Sequence, residues 1–392
     1  MAARRVAGRK QGSIDNLLSG GAAARSGEAP IWNTPPQVGS AGRMAMSAGW
    51  RAGRCRKLRS RTGALSRLQF EHTCDIRISM PYSVIAGAPR SAGHQTREEV
   101  RPMDTPVTFV SDGIEIAGDL HIPDGRGPEE RLPAFIVLHG FIGSKDKSHA
   151  EIMARLLESF GYAVLRIDFR GCGKSGGKRG YVLCHDQVAD AKNALNWLST
   201  RPEVDPRRIA VIGHSFGAAV ATYAGAVDQR FAAVVSSCGW GHGARKFQGQ
   251  HATPEAWAKF TAMLAANRAH KEKTGEALTV PRFDVVPMAE HLRRNLSPHA
   301  LTEVSADTAQ SMFDFKAEEM VHWISPRPVL FLHGADDTVT PTEQSIRMWE
   351  KAGQPKDLVL VTGTDHFPLA SGNTRTAGLL KGWLDVHFPV AR

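Results

Sequence analysis

Two five-residue stretches of the chain have a spacing that can support nucleophilic chemistry: Gly213, Ser215 and Gly217 in "GHSFG", and Gly173, Ser175 and Gly177 in "GKSGG" with its preceding "GC". A serine hydroxyl is a weak nucleophile at neutral pH. It needs a base to take its proton, and the base needs a carboxylate to orient it. Sixteen histidines are available. His366, in "GTDHFP", follows the last strand-like run, and Asp337 ends "LFLHGADD" after the penultimate one, with Asp336 as its immediate rival. That chemistry is acyl transfer, provided that the chain delivers Ser215, His366 and one of the two aspartates to one place.

The local sequence discriminates between the two serines. "RIAVIG" before Ser215 reads as a buried strand and "FGAAVATYAGAV" after it as a small-residue helix. Strand, sharp turn and helix form the setting in which a serine is thrust outward, and glycines on either side let the backbone close up. The helix start adds a dipole and free amides, so the Phe216 amide is a candidate oxyanion donor. Ser175 follows the strand-like "AVLRID" but is trailed by "GGKRGY", which reads as a loop. The same segment narrowly misses a phosphate-binding loop, since Asp168 stands where the first glycine is required and no helix follows directly.

The rest of the chain supplies positioning elements. "PVTFVS" and "IEIAGDLHIP" form a hairpin around Asp112–Gly113. "PAFIVLHG" is a buried strand ending at His139, Gly140 and Phe141, and the Phe141 amide is the second candidate oxyanion donor. Ser148 and Glu151 form a capping box for the helix that follows, and Thr253 and Pro254 open another at "TPEAWAKFTAML". Repeated strand–helix units predict an α/β fold with a doubly wound, mostly parallel sheet. The alternation breaks between Cys238 and Ser325, where the signals are helical and none is strand-like. An insertion there predicts a cap over the carboxyl edge of the sheet. Its aromatics Trp240, Trp257 and Phe260 are expected to wall a substrate pocket above Ser215, with His214 as packing or pocket wall facing away from the serine. The resulting organisation is an extension at 1–102, a core at 103–238 and 326–392, and a helical cap at 239–325.

Charge separates the extension from the rest. Of 392 residues, 49 are Lys or Arg and 39 Asp or Glu, for a net charge of +10. Residues 1–102 hold 17 of the basic residues, 15 of them arginine, and 6 of the acidic ones, which leaves 32 basic and 33 acidic residues in the remainder. The extension lacks sustained periodicity and reads as disordered. The balanced charge beyond it argues against a nucleic-acid partner for the fold. Arg4 and Arg5 resemble a twin-arginine signal without the apolar run that should follow. Five cysteines with no C-x-x-C spacing are expected in a reducing, cytoplasmic setting, and no run of residues predicts a membrane span.

Taken in order, "HGF", "DFRGCGKSGG", "GHSFG", "HGADDTV" and "DH" give residues 105–390 a resemblance to the α/β-hydrolases, closest to the carboxylesterase, feruloyl-esterase-like and prolyl-peptidase-like branch. The resemblance implies Ser215 as nucleophile, Asp337 as the acid through the pattern G-x-x-D from Gly334, and His366 as the base. Dehalogenases carry Asp and dienelactone hydrolases Cys where this chain has Ser215. The implied activity is hydrolysis of a small-molecule carboxylic ester through an acyl-enzyme, with no metal or organic cofactor. A serine aminopeptidase, an acyl-thioesterase and a C–C bond hydrolase share this machinery and differ in the pocket. A noncatalytic binding protein on the same fold is the alternative outside enzymes.

Overall fold

The computed structural model describes residues 104–124 and 130–391, so the basic extension expected at 1–102 lies outside the described residues. Strands β1 (Thr105–Ser111) and β2 (Ile114–His121) pair antiparallel with Ser111 opposite Ile114. Between them Asp112 and Gly113 both take positive φ, 49° and 82°, the turn conformation that matches the twist of hairpin strands. Six further strands complete the sheet: β3 (Leu132–Leu138), β4 (Ala163–Ile167), β5 (Val204–His214), β6 (Phe231–Ser237), then, after the separate pair β7 (Thr279–Pro281) and β8 (Glu303–Ser305) in the insertion, β9 (Val329–Gly334) and β10 (Lys356–Val361). The order is β1-β2-β4-β3-β5-β6-β9-β10, with all pairings from β4 to β10 parallel.

Every residue of β3 is buried, and its side chains divide by parity. Ile136 and Leu138 enter one apolar cluster with Val188, Leu195 and Val220, while Phe135 and Val137 enter the other with Met153, Leu157 and Leu384. Both faces of the sheet are therefore covered by helices: α1 (His149–Ser159), α2 (Cys184–Leu198), α3 (Phe216–Val227) and a C-terminal helix over Thr374–His387. Ser148 caps α1 by accepting from the Ala150 amide, and Glu151 reaches back to the Lys147 amide. The "EVDPR" stretch, which reads as a turn, is instead the start of β5, where the register against β3 shifts between Leu132 and Ala134.

The site depends on the order β4-β3-β5-β6. From β3 the chain crosses to β4 on one side, and from β5 it crosses to β6 on the other. The loops after β3 and β5 thus diverge and leave a crevice at their carboxyl ends. Small residues set the depth of that crevice. In α3, Ala218, Ala219, Ala221 and Ala224 are fully buried, and a Cβ on Gly225 would lie 2.4 Å from a Val234 methyl.

The insertion between β6 and β9 holds α4 (Gly243–Gln250), α5 (Pro254–Thr274), a helix over Ala306–Asp314 and shorter turns. Thr253 caps α5 by accepting from the Ala256 amide. Contrary to the helical reading, the insertion also contains strands, β7 (Thr279–Pro281) antiparallel to β8 (Glu303–Ser305). Three residues each, with 21 residues between them, are too short to leave a period-2 signal. One consequence of the crevice is testable: a Cβ on Gly213 would stand 2.1 Å from the Gly217 carbonyl oxygen, so Gly213→Ala is expected to lower stability by about 1–3 kcal/mol or more, read from the urea midpoint. An unchanged midpoint would mean that the turn has room it does not show.

Candidate active site

Ser215 sits between β5 and α3 at φ 55°, ψ −114°, a conformation that costs a non-glycine residue about 1–3 kcal/mol. Its amide donates to the Ser237 carbonyl at 2.8 Å, and its carbonyl accepts from Ala218 and Ala219 at 3.1 and 3.2 Å, so both sides of the turn are anchored. A Cβ on Gly217 would fall 2.5 Å from the Leu138 and His139 carbonyl oxygens, which is why the helix can start this close to β3.

His366 and Asp337 reach the same point from the ends of β10 and β9. His366 Nε2 lies 3.0 Å from Ser215 Oγ, and His366 Nδ1 lies 2.8 Å from Asp337 Oδ2. Asp337 Oδ1 accepts from the amides of Val339 and Thr340 at 2.8 and 2.7 Å. Burial would raise the Asp337 pKa, but His366 and His333 outweigh it and hold the carboxyl well below the usual range. Its rival Asp336 is exposed and points no contact at His366. Two residues without a role in the sequence reading complete the support. His333, on β9, places Nε2 3.1 Å from Asp337 Oδ2 and Nδ1 2.6 Å from Ser345 Oγ. Asp365 accepts from the amides of Thr338 and His366 at 2.8 and 2.7 Å, tying the two loops together.

Ser175, the other candidate serine, has no hydrogen bond to a histidine among the described residues. Its hydroxyl donates to the Asp168 carbonyl at 2.6 Å and accepts from the Ala117 amide at 2.9 Å, a structural bridge from loop to β2. Asp168 itself accepts from the amides of Lys145 and Lys174, which fits a loop clamp in place of a phosphate cradle.

Ser215 opens into a cavity of about 40 Å³ lined by Phe141, His214, Arg282, Val286, Met288 and Phe367, among others. The loop Gly140–Gly143 on one side is closed by a Gly143 amide to Gly140 carbonyl bond at 3.1 Å, and the cap holds it through Arg282 Nη2, 2.9 Å from the Phe141 carbonyl, and through the Leu301 amide, 3.2 Å from the Ile142 carbonyl. Phe141 and Phe216 flank Ser215, with ring centroids 6.2 Å apart. Beyond Ser148, His149 and Asn295 the cavity gives on to an open groove of about 720 Å³ that also touches Lys147, Arg294 and Asn373.

The pocket aromatics expected from the cap are not in this cavity. Trp240 packs between Phe216 and Phe315, and Phe260 stacks on Phe247 at 4.5 Å with Trp257 beside it at 5.9 Å. They belong to the apolar cluster that continues from the sheet face through Phe216 into the inserted segment, and so seat that segment on the sheet. His214 does line the cavity, and its ring lies 4.7 Å from His366 and 4.3 Å from His149.

A mostly parallel sheet between two layers of helices, with a strained serine on the turn after a central strand, defines an α/β-hydrolase. The chain belongs to the family described as serine aminopeptidase, S33, whose model matches residues 130–370. Its relatives include an uncharacterised Pseudomonas aeruginosa protein, PA2218, 29% identical over 72% of this chain and 80% of that one. The crystal structure of PA2218 superposes with a TM-score of 0.63 at 25% identity, covering 73% of this chain and 94% of that chain. The chain is also similar to the polyketide transferase grgF of a Penicillium species, 25% identical over 68% of this chain and 90% of that protein, and to the thiohydrolase aneE of Aspergillus aculeatus, 24% identical over 71% and 91%.

Burial keeps two of the clustered histidines neutral. Desolvation, with His366 adding to it, pulls His149 down to about 3, and desolvation with the neighbouring His149 and His366 takes His214 well below its ordinary value. Unfolded, both titrate near 6.5, so the unfolded chain takes up protons that the folded chain refuses, and stability is lost as pH falls from about 6.5 toward 3. His149→Gln is expected to make that decline shallower by up to about 1.4 kcal/mol per pH unit, measured by urea unfolding between pH 7 and 4.5. An identical slope in the variant would show that His149 is protonated in the folded protein.

Proposed function

We propose that the chain is a serine hydrolase that cleaves a carboxylic ester through an acyl-enzyme. The observation that carries this reading is the continuous hydrogen-bonded line from Ser215 Oγ through the His366 ring to Asp337, at 3.0 and 2.8 Å. In this mechanism Ser215 Oγ attacks the ester carbonyl as His366 Nε2 takes its proton, and Asp337 keeps the other ring nitrogen protonated and the ring in place. The amides of Phe216 and Phe141 stabilise the tetrahedral oxyanion. Collapse expels the alcohol with a proton from His366. Water, deprotonated by the same nitrogen, then attacks the acyl-enzyme and releases the acid.

A thioester is the second reading. It is supported by what two relatives are called, a thiohydrolase and a polyketide transferase, both names for acyl-group chemistry. Nothing in the serine chemistry changes except the leaving atom. Buried free thiols at Cys172, Cys184 and Cys238 support a reducing, cytoplasmic setting. Among the described residues no helix is long and apolar enough to cross a membrane.

Ser215→Ala is expected to lower kcat about 10³-fold or more, and Asp337→Asn about 10²-fold or more by leaving the imidazole in the wrong tautomer, with Asp336→Asn close to wild type. The measurement is turnover of p-nitrophenyl esters, acyl thioesters and peptide anilides of matched acyl length. Peptide anilides as the best substrates would replace the ester reading with a peptidase, and an active Ser215→Ala would end the serine mechanism.

A further inference from the structure

Arg282 opens a short turn of helix in the cap and is 4% exposed. One of its terminal nitrogens, Nη2, donates to the Phe141 carbonyl, whereas Nη1 is buried without a hydrogen-bond partner. Its other neighbours are the ring faces of Phe141 and Phe283, 5.7 and 5.9 Å away, and the Cys172 thiol. Among the described residues no carboxylate forms an ion pair with it.

Among the described residues, the other buried cations apart from Lys246 are matched by carboxylates. Lys145 pairs with Asp119 and Asp146, Arg166 with Asp104 and Asp119, and Arg170 with Asp190. Lys246 is buried over the Phe247 and Trp240 rings, but it does not border the Ser215 cavity, and burial pulls it down to about 7, so it can shed its proton. An arginine has no such escape: burial lowers Arg282 to about 10, and it remains a cation at neutral pH. A cation that cannot neutralise itself, with one donor face unmatched, borders the cavity that holds Ser215.

We infer that Arg282 determines specificity by pairing through Nη1 with a carboxylate on the acyl part of the substrate, so that the substrates are esters or thioesters of short dicarboxylic acids. The inference rests on the hydrolase reading of Ser215. The planar guanidinium fork matches a carboxylate, and the narrow space beside Ser215, about 40 Å³, limits the acyl group to a short chain. The acyl side is favoured because Arg282 is held against the Phe141 carbonyl in the narrow space that contains Ser215, whereas the outer groove past Ser148 and His149, about 720 Å³, is the wider space for the leaving group. Pairing restores to Arg282 the counter-charge the fold omits, and a substrate lacking it leaves the cation unmatched.

The test compares p-nitrophenyl hemiglutarate with p-nitrophenyl valerate, which differ in the terminal carboxylate. Wild type is expected to favour the hemiglutarate by about 10-fold or more in kcat/KM, Arg282→Met to bring the two within about 2-fold, and Arg282→Lys to keep part of the preference. A third ester, valerate of a hydroxybenzoic acid, carries the carboxylate in the leaving group. Preference for that ester in place of the hemiglutarate would overturn the acyl-side assignment, as would no preference at all or a loss in Arg282→Met that is equal for both p-nitrophenyl esters. Should Arg282→Met not fold, protection of wild-type Ser215 from a fluorophosphonate decides the matter: glutarate should protect about 10-fold better than valerate, and equal protection overturns the inference. Fluorophosphonate labelling also separates the two claims. Labelled Ser215 without carboxylate preference leaves the hydrolase standing and removes the role of Arg282, whereas no labelling removes both.

Discussion

Ser215 is held in a strained conformation by backbones that approach too closely to admit a side chain on either flank. The missing Cβ of Gly213 leaves room for the Gly217 carbonyl, and that of Gly217 leaves room for the carbonyls ending β3. With α3 pressed that near to β3 and β5, the connecting residue has to turn at φ 55°, and the hydroxyl is left at the mouth of the crevice between the diverging loops. The alanines of α3, the loop after β3 and the positions of His366 and Asp337 all presuppose this contact. The same device recurs at Gly334, where a Cβ would meet the Asp365 carbonyl at 2.2 Å, so the loop bearing Asp337 and the loop bearing His366 close on each other as tightly.

Around that turn the polar groups divide into those that are balanced and those that are not. Asp337 is surrounded by two amides and two imidazoles and stays ionised in a buried place. His139 is fixed in one tautomer, since Nε2 accepts from the Phe169 amide and Nδ1 must then donate to the Gly140 carbonyl. His149, His214 and Arg282 lack such matching, and all three border the Ser215 cavity. Unmatched groups that border the space beside Ser215 are available to a ligand, which can supply the missing partners.

Much of this architecture is legible in the sequence, for reasons that differ by element. The strand, the glycines and the small-residue helix around Ser215 are local, so the turn can be read from the twenty residues 208–227. Asp337 and His366 are legible because they follow the last two strands, and parallel strands deliver their carboxyl ends to one edge. His333 and Asp365 touch the same groups but carry no pattern of their own, since their roles arise from loop closure. The cap is where the sequence misleads. Trp240, Trp257 and Phe260 look like pocket walls by position, yet large apolar side chains of an inserted segment are drawn into the packing that seats it on the sheet. Arg282 looks like any surface arginine, and its significance lies in the carboxylate it does not have.

The central claim is that Ser215, forced outward by its glycines, becomes covalently acylated during turnover. Acid quenching of the protein during hydrolysis of a slow ester, followed by peptide mass mapping, tests it directly. The account predicts the mass of the acyl group on the peptide containing Ser215, absent in Ser215→Ala and accumulating in step with a burst of released alcohol. Turnover with an adduct on a different residue, or with no adduct and no burst while acylation is shown to be fast, would contradict it.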